Sequence, residues 1–240
     1  MKKKVCLLLV ALLPLCASLW AQDEAYTAAD LYKLAGECVK IGNYDDALSY
    51  LSDAKKMDPM SSDIYALSSA IMGDYIVQEI ARGKASNDTI LSLIPYCLSD
   101  MNNAIQFWTN KADRSLSLLY FTRGFFLKKL GYYEKAFADL NVAHENLKKD
   151  EYKLAIDVLR HRAEIFKASG YGTNFQLDMS EAITYCKRGT KNDPTDVYYY
   201  DTRANIEHSM GFDKLMIETI FNRLEKIPVK DYEEIDGYEK

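Results

Sequence analysis

Apolar residues recur every three or four positions through most of the chain, and glycine or proline interrupts the runs at intervals. In residues 28–61, Leu31, Leu34, Ala35 and Cys38 share one helical face. Gly42-Asn43 ends that helix, since glycine tolerates the left-handed backbone that closes a helix and asparagine comes next. A second helix starts near Asp45 and carries Ala47, Leu48, Leu51 and Ala54 as far as Asp58-Pro59, where proline disfavours helical geometry in the residue before it. Ala35, Ala47 and Ala54 are small enough for two antiparallel helices to approach closely. Neither helix buries its stripe alone, so the unit requires neighbours.

The same spacing returns further along. Gly131 is followed by Tyr133, Ala136 and Ala143 at the offsets that Gly42 gives Tyr44, Ala47 and Ala54. Gly170, Ala182 and Pro194 form a looser copy whose alanine-to-proline spacing matches that from Ala47 to Pro59, while Gly211 keeps only the distal Pro228. Gly42-x-Tyr44-x-x-Ala47, with Ala54 and Pro59 after it, resembles the tetratricopeptide repeat (TPR). That resemblance implies an all-α fold, a right-handed α-solenoid of about five helix–turn–helix units in residues 22–230. The units are expected at 28–61, 62–116 with an insertion, 117–150, 156–196 with an insertion, and 197–230. Ser62–Ala81 reads as a long helix with no turn glycine at the usual place. Arg82–Asp88 reads as a polar loop with Asn87 or Asp88 as a cap, and Pro95 as a break before a helix at 98–112. The other insertion is expected as a loop at Tyr171–Leu177, and residues 231–240 as a polar tail.

The N-terminus follows a different rule. Lys2-Lys3-Lys4, an apolar run from Val5 to Leu15 and the small Ala21 make the pattern of a secretory signal peptide over residues 1–21. The run is too short to span a bilayer as a mature helix. An exported chain, periplasmic or secreted, is expected; anchoring as a lipoprotein through Cys16 is the less favoured alternative, because Pro14 and Leu15 stand where small residues are wanted. Removing three of the thirty basic residues leaves 27 against 35 acidic ones, a net charge of −8. An acidic chain with no basic stripe points away from nucleic acid and anionic lipid.

Function is expected in the groove formed by the first helices, as the resemblance implies. Its positions fall on Tyr32 in the first unit and on Phe121, Phe125 and Lys128 in the third. The fourth contributes Arg160, Glu164 and Lys167, and the fifth Tyr198, Asp201, Asn205 and His208. Such a surface, aromatic at one end and mixed in charge at the other, suits a peptide or a helix of a protein partner. The subclass that binds chaperone C-termini expects Lys and Asn where this chain has Tyr32 and Gly36, so that partner is not expected. Arg123, Arg162 and Arg203 recur at one place in the third, fourth and fifth units and read either as a carboxylate-binding ladder or as scaffolding. Asp139 is the evident partner of Arg123, whereas the facing positions for the other two read as Tyr185 and Thr219.

Of the cysteines beyond the leader, Cys38 and Cys186 fall on packing positions, and Cys97, in the second unit's insertion, is the candidate for a reactive or intermolecular role. His144, His161 and His208 stand apart, with no carboxylate or cysteine at metal-ligand spacing. Asp88-Thr89-Ile90 resembles a short O-glycan acceptor motif but equally suits a helix cap. No nucleophile elbow, zinc-hydrolase motif or phosphate-cradling loop occurs, so no catalysis, metal or cofactor is expected. A second reading is a structural subunit that self-assembles through an uncapped array end carrying Ile217, Ile220, Phe221 and Leu224.

Overall fold

A glycine at positive φ closes the inner turn of every helical hairpin: Gly42, Gly83, Gly131, Gly170 and Gly211, all between +76° and +84°. Only glycine adopts that backbone without strain, which is why these five positions punctuate the chain. In each turn the residue after the glycine donates its N–H to a carbonyl five residues back, as Tyr132 does to Leu127 and Tyr171 to Phe166. The computed structural model describes residues 26–84 and 86–227, and among them the regular structure is ten helices joined by turns, with no strand. The expected leader, Cys16, Pro228 and the polar tail lie outside the described residues.

The chain divides into two compact units, Met1–Met60 and Ser61–Lys240. The first holds one hairpin, α1 (Ala28–Lys40) and α2 (Tyr44–Met57). Thr27 and Asp30 form a reciprocal capping box at the start of α1, and the hydrogen bonds from Thr27 hold the Asp30 carboxyl below the usual range. Asn43 caps α2. Leu31 and Ala35 meet Ala47, Leu51 and Ala54 in the buried seam, while Cys38 is only half-buried.

The second unit holds four hairpins: α3 (Ser62–Ala81) with α4 (Asp88–Gln106), α5 (Leu116–Lys129) with α6 (Tyr133–Glu145), α7 (Tyr152–Ala168) with α8 (Gly172–Asn192), and α9 (Val197–Ser209) with α10 (Asp213–Lys226). Each hairpin also packs on the next, α4 against α5, α6 against α7 and α8 against α9. The buried clusters follow that order: Ile76, Ile90, Cys97, Met101 and Phe126 join α3, α4 and α5. Leu127, Leu140, Val158 and Ile165 join α5, α6 and α7, and Leu159, Met179, Cys186 and Ile206 join α7, α8 and α9. A core residue such as Phe126 therefore fixes the pitch from one hairpin to the next; truncating one of this size costs about 3–5 kcal/mol. Ser62 donates to the Ala104 carbonyl at 2.7 Å and Ser117 to that of Ala143 at 2.6 Å, so two hairpins share one tie between first and second helix.

Four expectations are corrected. Gly83 is the turn glycine that seemed missing from the second hairpin; both flanking helices are simply longer, at 20 and 19 residues. Pro95 does not break α4, because it and Leu91, whose carbonyl loses its donor, both face solvent, where water can satisfy the oxygen. Tyr171–Leu177 is not a loop: α8 begins at Gly172, and Phe175 starts the apolar stripe continued by Met179, Ala182 and Cys186. The extra residues instead lengthen α8 at its C-terminal end. Cys97 is fully buried against Ser69 and Gly73, which removes the reactive or intermolecular role. Asn87 caps α4, so Asp88-Thr89-Ile90 forms its first turn, with Ile90 in the core.

Candidate functional site

Gly124 lies where α5 crosses α6, and a side chain there would press on Asp139 Cβ at 3.1 Å and Leu140 Cγ at 3.2 Å. That close crossing brings Arg123 onto Asp139 in a two-pronged pair: Nε and Nη2 each donate to a carboxylate oxygen at 2.7 Å, and Nη1 donates to Asn102 at 2.8 Å. The arrangement repeats on the next hairpin, where Arg162 grips Asp178 with the same two 2.7 Å bonds and reaches Asn141 at 3.2 Å. Asp178, not Tyr185, is therefore the equivalent of Asp139. In the α3–α4 hairpin Ser68 stands in the arginine's place and donates to the buried Asp100 at 2.7 Å. The fifth position is rebuilt: Arg203 pairs one turn along its own helix with the buried Glu207 at 2.7 Å, and Thr219 donates to the other oxygen of Glu207. Hydrogen bonding to Asp139 raises the pKa of Arg123 above its already high ordinary value. All three arginines are thus committed to carboxylates inside the fold.

The expected groove residues take a different side of the first helices. Phe121 and Phe125 lie 6.2 Å apart between ring centroids, and both pack against His161, at 5.8 and 5.0 Å. Nδ1 of His161 sits 2.8 Å from the Lys128 ammonium and 3.4 Å from the Glu164 carboxylate, and Lys128 is also ion-paired to Glu164. Hydrogen bonding to His161, with Lys128 beside it, lowers the Glu164 carboxyl to about 2, against the opposing effect of its partial burial. Five side chains from α5 and α7 thus make one aromatic and charged cluster. His161 is not picked out in sequence because, Glu164 apart, its partners Phe121, Phe125 and Lys128 lie on the preceding hairpin.

Between α7 and α9, over α8, opens a cleft of about 210 Å³. Arg160, Glu164, Lys167 and Asn205 form its rim, and Met179 and Ile206 its floor. Lys167 extends over the Phe175 ring at 5.3 Å. Tyr198 lies behind it, its hydroxyl donating to Asp157 at 2.9 Å, and burial pushes the phenol pKa well up. Asp201 is turned to Arg223 at 2.8 Å, and the exposed His208 to Asp213 at 2.9 Å. The structure therefore brings Phe121, Phe125, Lys128, Arg160, Glu164, Lys167 and Asn205 to two adjoining sites sharing Glu164, with Tyr198, Asp201 and His208 engaged beside them. Tyr32 lies half-buried on α1 in the other unit. A separate cleft of about 350 Å³, between α4 and α6 over α5, is where Arg123, Asn102 and Asp139 reach the surface. Each histidine turns out to have one carboxylate neighbour, His144 meeting Glu181 at 3.3 Å, but no three metal-ligating groups converge among the described residues. Burial lifts the Cys186 thiol to about 12.

No protein-family model and no curated protein matches the sequence. Solved structures do resemble the fold. A monomeric mutant of IFIT1 with Gppp-AAAA superposes with a TM-score of 0.57 at 11% identity, over 82% of this chain and 47% of that one. PilF of Pseudomonas aeruginosa gives 0.52 at 13%, over 83% and 76%. A MamA RS-1 double mutant gives 0.51 at 11%, over 86% and 97%. This chain spans about half the length of the IFIT1 chain it matches. No described helix is long and apolar enough to cross a membrane. The fold is an all-α solenoid of tetratricopeptide-type hairpins.

Proposed function

We propose that this chain is an exported, noncatalytic scaffold that holds a peptide or helix of a partner protein along α5, α7 and α9. The observation that carries this reading is the pair of adjoining sites on those helices, the Phe121–Phe125–His161 ring cluster and the cleft rimmed by Arg160, Lys167 and Asn205. The first offers rigid aromatic area for an apolar anchor, and the second polar groups around an apolar floor to fix orientation. Recognition along helix faces suits a segment of another chain, as protein–protein scaffolds of this fold employ. Arg123 and Arg162, through Asn102 and Asn141, tie each of their hairpins to the one before it, which keeps the two sites in register. Export rests on the leader pattern at residues 1–21, with Gln22 as the mature N-terminus.

A photo-crosslinking residue at Asn205, compared in cells with one at Lys187 on the exposed side of α8, tests the assignment. One discrete partner adduct is expected from Asn205, absent from Lys187 and lost when Phe125→Ala or Arg160→Glu is added. Adducts that are equal from both positions, or that survive both substitutions, would end this reading. Mass analysis of the same purified protein reads the N-terminus, and retention of residues 1–21 would refute export.

A further inference from the structure

Thr219 on α10 occupies the place of Asp139 on α6 and Asp178 on α8, each sixteen residues beyond the arginine of its hairpin. In that register Ile217 corresponds to Phe137, Ile220 to Leu140 and Met179, and Leu224 to Ile183. In the earlier hairpins the following first helix helps to cover these places. Phe137 meets Phe166 of α7 edge-on at 5.0 Å, Leu140 and Met179 are buried, and Ile183 packs on the cluster that includes Tyr199 and Ile206 of α9. On α10 the same places stand open: Ile217 is 48% exposed, Ile220 40% and Leu224 45%, with Phe221 beside them at 62%. Positions 217, 220, 221 and 224 share one stripe of the helix. Four large apolar side chains in one stripe go beyond the scattered hydrophobics of an ordinary surface.

We infer that a second copy of this chain covers the stripe, α10 packing antiparallel on the same helix of the partner subunit about a two-fold axis. The charges of α10 select this occupant and this direction. Asp213, Lys214, Glu218, Arg223, Glu225 and Lys226 sum to zero, so although the chain as a whole is acidic, the two facing helices add no repulsion of their own. Lys214 and Glu225 are exposed, flank the stripe on the same side, and lie at its opposite ends, about 16 Å apart along the axis. In an antiparallel two-fold pair each flank meets its own copy end for end. Lys214 then meets Glu225 of the partner subunit, and the contact occurs twice. A parallel two-fold pair would exchange the flanks, so Lys214 and Glu225 would not meet across it. Ile220 and Phe221, at the middle of the stripe, fall on the axis and form the dry centre, with the charges as rim. The partner helix thus takes the place of a following hairpin. The interface is separate from the α7–α9 cleft, so it stands or falls without the peptide-binding reading.

Sedimentation velocity of the full chain across a wide concentration range tests the inference. A dimer is expected at micromolar concentration, converted to monomer by Phe221→Glu with the circular dichroism unchanged. Lys214→Glu and Glu225→Lys should each weaken self-association about tenfold, and the double reversal should restore it. A wild-type monomer throughout would overturn the inference, including the case in which removing residues 228–240 then produces a dimer, which would make the chain's own C-terminal segment the occupant. Assemblies that grow beyond two copies, a dimer indifferent to Phe221→Glu, or charge reversals without effect would overturn it equally.

Discussion

Arg123, Arg162 and Arg203 hold one place on three successive first helices and solve the same electrostatic problem in two ways. A guanidinium in the seam between helices loses water and must recover that loss from a carboxylate in good geometry. For Arg123 and Arg162 the carboxylate comes from the second helix of the hairpin, and for Arg203 from Glu207 one turn further along α9. Removing one partner from such a pair leaves the other buried and unpaired. Asp178→Ala should therefore lower unfolding stability by about 3 kcal/mol in a urea titration, because Arg162 has only 14% of its side chain in solvent. A loss below about 1 kcal/mol would mean the pair is screened like a surface salt bridge. The first of these pairs was legible in sequence, since Arg123 and Asp139 lie in a strict copy of the repeat. The second was not, because aligning Ala182 with Ala47 instead of Ala54 moved the facing position from Asp178 to Tyr185. The third was hidden for another reason: Glu207 lies on the arginine's own helix, where a search of the opposite helix does not look.

At the scale of the element, the departures from the regular repeat are absorbed as extra helical turns. Polar composition at 171–177 and a proline at 95 are ordinary signs of a break, and both were outweighed by apolar positions that continue the helical period through them. Phe175 and Met179 bury enough surface to carry α8 through residues with little helical preference of their own. In α4, Ile90, Cys97, Met101 and Ala104 hold one face in the core while Pro95 sits on the other. Proline in that place still costs a backbone hydrogen bond to Leu91. Replacing it restores the bond without touching the core, although the more flexible unfolded chain offsets part of the gain. Pro95→Ala is thus expected to stabilise the protein by about 1–2 kcal/mol, read as a rise in urea midpoint at constant slope. A fall in midpoint would show that the restriction Pro95 places on the unfolded chain outweighs the hydrogen bond it forgoes.

Across the whole molecule, stability in a chain of stacked hairpins is set by neighbours and is not uniform. The buried clusters described for the second unit each link a hairpin to the next, so α5 to α8 gain contacts from both directions. Among the described residues the last hairpin gains them from one direction only, from α7 and α8. On α10 only Thr219 is buried, and it is held by Glu207 rather than by apolar packing. The middle helices each bury four to six residues. Amide exchange in dilute protein should therefore be fastest along α10 and slowest in α6 and α7, the difference reflecting local opening of the end hairpin before the rest unfolds. Peptide-level deuterium uptake measures this directly. Equal protection of α10 and α6 in dilute solution would mean that the Thr219–Glu207–Arg203 contacts alone bind the end hairpin as tightly as a packed core does. Loss of the α10 signature on raising the protein concentration would place the missing neighbour in another molecule, because the hydrogen bonds within the hairpin are the same at every concentration.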